Sequence, residues 1–145
     1  MHPFPHHYQV SGSATAAGSV TLGSAGLPNL ESNPPPEFDG PPGYWSPETL
    51  LTAAVADCFI LSFRAVAKAS KFEWTSLAVN VTGLLERPVG VGAQFTGFET
   101  RAKLVVAPGT DRARAQMLLE KAEKVCLISA SLKGGNHLDL EIVEA

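Results

Sequence analysis

The sequence predicts an α+β fold, because helical segments and strand-like runs occur in separate stretches rather than in a regular strand-helix repeat. Three stretches carry this expectation. Ser46-Pro47-Glu48 opens a long helix, alternating runs over Leu77–Glu86 and Phe95–Val106 suggest a hairpin, and a second helix after Pro108-Gly109 leads into a closing strand at 137–143. At 145 residues the chain has the usual size of one domain and can bury a core without disulfide staples. It is therefore expected to be a single domain over 1–145, with an N-terminal strand region at 1–22, a proline-rich loop at 23–43 and a core at 44–145.

From Tyr8 to Leu22 small and polar residues alternate with Val10, Val20 and Leu22, which permits one strand or a hairpin turning near Ala17-Gly18. Between Gly23 and Gly43 six prolines, at 28, 34, 35, 36, 41 and 42, argue against helix interiors and central strands and predict a long stiffened loop. Ser46 suits an N-cap, Pro47 the first helical position, and Glu48 the positive end of the helix. Leu51, Ala54, Cys58, Leu61 and Ala65 then recur at spacings of three and four, so they are expected to form the buried stripe of a helix roughly twenty residues long. After the hairpin, Thr110 or Asp111 can cap the second helix. Its apolar face is Ala115, Leu118, Leu119, Ala122 and Val125, and Cys126 falls at its end. Gly134-Gly135 turns the chain into the last strand, where Leu138, Leu140 and Ile142 share a face.

Composition removes several classes of function. Apolar residues are 45% and charged residues 17% of the chain, a balance that suits a folded domain and not a disordered one. A net charge of −3 without a block of Lys or Arg leaves no surface to neutralise phosphates, so nucleic acid is not expected as a partner. The first residues lack the basic and apolar regions of a signal peptide. The apolar stretch from Leu50 to Phe63 is interrupted by Asp57 and falls short of the ~20 residues that cross a bilayer. The expectation is a cytoplasmic protein with no membrane partner and with free thiols.

Those thiols, Cys58 and Cys126, admit three readings: small buried hydrophobes, metal ligands, or the two ends of a redox cycle. A lone cysteine on an apolar stripe is more often a core residue than a nucleophile. A second thiol changes the balance, because it can convert a sulfenic acid on the first into a disulfide before further oxidation. That requires the two Cα atoms to come within about 7 Å. His6, His7 and His137 form no metal-ligand spacing and are expected to be solvated. No nucleophile elbow or phosphate loop is present.

Pro47-Glu48 followed by Ala54-Val55-Ala56-Asp57-Cys58-Phe59, and later Ala122-Glu123-Lys124-Val125-Cys126 with Ser129 and Leu132, resemble the paired signatures of the OsmC and organic hydroperoxide resistance (Ohr) superfamily. The resemblance covers most of the chain beyond Gly43. It implies an OsmC-like fold, with antiparallel sheets around two main helices in an intertwined homodimer, and a thiol-dependent peroxidase acting on organic hydroperoxides. It makes Cys58 the peroxidatic thiol and Cys126 the resolving one, with an external dithiol as reductant and no metal or organic cofactor. In that family a glutamate at the helix start holds an arginine beside the reactive thiol, a role that falls here to Glu48. The arginine itself has no counterpart, since no Arg or Lys precedes Arg64. Arg64 is about 240° around the helix from Cys58, and Arg101 alternates outward on a strand, so both are expected at the surface. The missing cation motivates an alternative: a binding protein on the same scaffold that takes a small hydrophobic ligand in an apolar dimer cleft. A second departure is Leu127, where many relatives have proline directly after the resolving cysteine.

Overall fold

The chain makes its first turn at Gly18, whose φ of 92° is strained for any residue with a side chain. In the computed structural model, which describes residues 1–145, this turn joins β1 (Ser11–Ser13) to β2 (Val20–Gly23) as an antiparallel pair. Of the single strand and the hairpin that the sequence permits there, the hairpin is present. The segment 23–43 is not the unstructured loop the prolines suggested. It contains β3 (Leu30–Ser32), which pairs antiparallel with β2, and a 3-10 turn at Pro36–Phe38. Pro28 and Pro34 flank β3 without entering it, so the strand keeps its full set of backbone donors. Ser32 forms an isolated parallel bridge with Trp45, and the Asn33 N–H donates to the Trp45 carbonyl at 2.9 Å. Gly40 is needed where the proline run folds back, since a Cβ there would lie 1.7 Å from the Pro34 carbonyl oxygen.

These elements belong to a first compact unit, Met1–Leu50; the second is Leu51–Ala145. Helix α1 (Pro47–Ala69) begins with reciprocal capping: the Thr49 N–H donates to Ser46 Oγ at 3.1 Å, and the Ser46 N–H donates to Thr49 Oγ1 at 2.8 Å. The helix ends where Lys71 turns left-handed at φ 50° and the Phe72 N–H closes on the Ala67 carbonyl at 2.9 Å.

The buried face of α1 differs from the one expected. Val55, Phe59, Phe63, Val66 and Ala67 are buried, whereas Leu61 is 51% exposed and Cys58 is half-buried on the flank. The helix is apolar on two faces, and spacing alone does not say which of them meets the sheet. Its length and composition also correct the expectation that no segment is apolar enough to cross a bilayer. With mean hydropathy 1.8 over its best window, α1 passes that test, and 28% of that window is buried within the chain. The face it does bury belongs to a core helix.

That core lies on one side of a mixed sheet. Strands β4 (Ser76–Glu86) and β5 (Gln94–Val106) pair antiparallel, with a bulge between Leu84 and Leu85. Strand β6 (Gly135–Glu144) then adds parallel to β5, from Gly97↔Gly135 to Val106↔Glu144. The parallel pairing follows from the crossover through α2 (Arg112–Val125) and α3 (Leu127–Ala130), which returns the chain to the starting end of β5. Asp111 caps α2 by accepting from the Arg114 N–H at 3.0 Å. Phe98, Ala102, Leu104 and Val106 alternate inward from β5, and Ala115, Leu118, Leu119 and Ala122 cover them from α2 together with the α1 face. Phe63 meets Trp74 edge-on at 5.3 Å.

Candidate functional site

Cys58 and Cys126, 68 positions apart in sequence, form hydrogen-bonded neighbours through their thiols. Each is placed by a local feature. Cys58 lies midway along α1, next to buried Phe59 and one turn before Ser62, whose Oγ is 3.9 Å from its sulfur. Cys126 is at once the last cap of α2 and the first cap of α3, extended at φ −66° and ψ 109°. Its N–H donates to the Glu123 carbonyl at 3.3 Å, and its carbonyl accepts from the Ala130 N–H at 3.0 Å. A helix that restarts in this way exposes its first N–H groups, which have no partner within the helix. The N–H groups of Leu127 and Ile128 are directed at the Cys58 sulfur.

The two thiols are driven apart electrostatically. Burial pushes Cys58 up, but the Ile128 N–H, the Cys126 thiol, the Ser62 hydroxyl and the Leu127 N–H outweigh it and hold Cys58 below the ordinary cysteine value. Burial pushes Cys126 up, and although the Ser129 hydroxyl and N–H pull it back, hydrogen bonding to Cys58 and repulsion from its charge leave it raised. Ser129 Oγ donates to Cys126 Sγ at 3.3 Å. Cys126 is fully covered, while Cys58 is half-exposed. The pair thus sets a reachable sulfur that ionises more readily than an ordinary cysteine against a buried sulfur that ionises less readily, a combination suited to nucleophilic attack followed by disulfide closure. Both cysteines are free here.

No cation contributes to this state, since no Arg or Lys is among the groups that shift Cys58. Arg64 is exposed. Arg101 points outward from the sheet, its side chain 74% exposed and 3.8 Å from Asp139. Glu48 is half-buried in the first turn of α1, ahead of Cys58 along the helix and within the first unit. The structure joins Cys58 and Cys126. Phe59 is 2% exposed and belongs to the core, whereas the aromatic side chains Phe38, Tyr44 and Trp45 are about half exposed. No group of three His, Cys, Asp or Glu side chains gathers where it could share a metal ion.

Sequence reasoning missed Ser62, Ser129 and the two backbone donors. Ser129 stood in the motif without a role, and main-chain N–H groups leave no trace in residue identity.

Comparison with known proteins identifies the family. The model of the OsmC-like protein family matches residues 40–141, a span that includes both cysteines. The uncharacterized protein YmaD of Bacillus subtilis is 32% identical over 110 residues, covering 74% of this chain and 73% of that protein. The organic hydroperoxide resistance protein of Xanthomonas axonopodis pv. citri is 35% identical over 98 residues, covering 67% of this chain and 66% of its own. Among solved structures, an OsmC-like protein of unknown function from Vibrio cholerae shares the fold, with a TM-score of 0.83, 16% identity, and coverage of 96% of this chain and 100% of that one. Matched by the family model over residues 40–141, the chain belongs to the OsmC-like protein family.

Proposed function

We propose that the protein is a thiol-dependent peroxidase that reduces organic hydroperoxides. The observation that carries this reading is the contact between Cys58 and Cys126 with their titrations shifted in opposite directions. In the first step the Cys58 thiolate attacks the terminal peroxide oxygen, the O–O bond breaks, and the alkoxide leaves and takes up a proton. Cys58 is then a sulfenic acid. Cys126 attacks the Cys58 sulfur to close a disulfide, and an external dithiol restores both thiols by exchange. The name of the Xanthomonas relative supports this substrate class.

The competing reading, a binding protein without turnover, drew its force from the missing arginine. Two N–H groups, a hydroxyl and a thiol donating to Cys58 provide anion stabilisation that would otherwise need a cation. Glu48, in the first turn of α1, in this reading also complements the N-terminus of that helix.

The same reading includes a homodimer. The α1 residues Leu51, Ala54, Leu61 and Ala65 form a second apolar face that the chain does not bury, and a second copy is the occupant that fits a symmetric, self-complementary contact. It also sets the protein in a reducing compartment, the cytoplasm, where the pair can be regenerated.

Stopped-flow oxidation of the reduced protein by an alkyl hydroperoxide tests the assignment. Fast loss of one thiolate is expected, and it should vanish in Cys58→Ser; full peroxide consumption by that variant sinks the proposal.

A further inference from the structure

Cys126 is the thiol that has to ionise second, and its surroundings oppose it. It is 0% exposed, and burial together with the adjacent Cys58 raises its titration. Ser129 counters this from the other side. Its Oγ donates to Cys126 Sγ at 3.3 Å, it is itself 8% exposed, and it sits one helical turn beyond Cys126 on α3, so the turn that begins at Cys126 also delivers its partner. A serine hydroxyl has a single proton to donate. Committing it to the sulfur of Cys126 leaves that thiol's own S–H directed at Cys58, giving a chain from Ser129 to Cys126 to Cys58 in which each donor strengthens the next.

We propose that Ser129 is a positioning residue for disulfide closure, aiming the Cys126 thiol at Cys58 and holding the Cys126 thiolate once it forms. The closure step rests on the peroxidase reading; the hydrogen-bonded placement does not. In that step the Cys126 thiol releases its proton to solvent. The thiolate electron pair attacks the sulfur of the Cys58 sulfenic acid left by the organic hydroperoxide, the S–S bond forms, the S–O bond breaks, and hydroxide departs to be protonated to water. The hydroperoxide is the oxidant, and both sulfurs end oxidised in the disulfide. The titratable group facing Cys126 from α1 is Cys58; from α3 it meets the Ser129 hydroxyl and N–H; on α2, Glu123 engages it through the main-chain carbonyl. No carboxylate or cation contributes to its shift.

Two measurements separate this role from the function itself. In a Cys58→Ser background, ultraviolet thiolate absorbance against pH follows Cys126 without peroxide and without a reagent having to reach the buried sulfur. Adding Ser129→Ala should move the midpoint upward, and Ser129→Thr should keep it near the parent. Ser129→Thr and Ser129→Val repeat the comparison at constant shape, in case the smaller side chain disturbs the fold. In the chain with both cysteines, one pulse of alkyl hydroperoxide should give two phases. Ser129→Ala should slow the second by about tenfold at neutral pH, the equivalent of one pKa unit, and change the first by less. An unmoved Cys126 midpoint in variants with intact thermal melts overturns the proposal. A moved midpoint in a chain that never reacts with hydroperoxide upholds Ser129 and removes the peroxidase reading.

Discussion

Leu127→Pro isolates the contribution of a single backbone N–H to the ionisation of Cys58. The substitution suits its place. Leu127 is the first residue of α3, where proline is favoured and where the N–H has no helical partner. Cys126 before it is already extended at ψ 109°, close to the conformation that a following proline imposes. The leucine side chain is 72% exposed, so little burial is lost. What disappears is one donor to the Cys58 sulfur. Hydrogen bonds to charged groups are worth roughly 1.5–3 kcal/mol. Leu127 is the weakest of the four donors and Cys58 is half-exposed, so solvent screening brings the value below that range, to on the order of 1 kcal/mol or about a fivefold change in an equilibrium. The sign is upward: with less stabilisation of the thiolate, the Cys58 midpoint rises and the ionised fraction at neutral pH falls. The assay is the pH dependence of Cys58 alkylation by iodoacetamide, with a thermal melt alongside. Reaction at neutral pH should slow about fivefold, with the high-pH limit unchanged and the melt equal or slightly higher, since proline restricts the unfolded chain by about 0.4–1 kcal/mol. An unmoved pH profile in a chain that melts normally would refute the claim that main-chain donors stand in for a cation.

Two other outcomes are expected. Gly40→Ala sets a Cβ 1.7 Å from the Pro34 carbonyl oxygen and 2.4 Å from its carbon, backbone that must shift, so the first unit should lose about 1–3 kcal/mol; hydrogen exchange at the β2 and β3 amides reads this directly, and unchanged protection would count against it. Glu123→Gln should raise the melting temperature at neutral pH. Burial raises the Glu123 carboxyl, with His137 opposing, so its stabilising contribution is full below the ordinary carboxylate range and lost as pH rises through the folded value. Melts across a pH series should therefore show the variant's advantage shrinking on acidification, and an advantage that grows instead would reverse the sign.

What the sequence made legible was local. Ser46-Pro47 marked the start of α1 because capping depends on neighbours three residues apart, and Ala115, Leu118, Leu119 and Ala122 declared the inner face of α2 because the opposite face is charged. The inner face of α1 was misread for the complementary reason: Leu51, Ala54, Leu61 and Ala65 are as apolar as the residues that are buried, so periodicity had no contrast to use. Strand β3 hid among prolines because their effect is positional, and all of them fall outside its three residues. At the site, residue types pointed to Cys58 and Cys126, but their contact is a product of tertiary packing, and two of the four groups that lower Cys58 are N–H groups common to almost any residue.

The restart of the helix at Cys126 also bears on how readily the pair can be reset. While Cys58 is an anion, the Leu127 and Ile128 N–H groups have a full negative charge to meet. A disulfide between the two sulfurs carries no charge, and these donors would then face a poor acceptor in partly buried surroundings. The dithiol state is thereby favoured over the bridged one, which raises the reduction potential of the bond, as in oxidants whose reduced form is held by thiolate stabilisation. The geometry that makes Cys58 quick to lose electrons to a substrate makes the resulting bridge quick to accept them from a reductant.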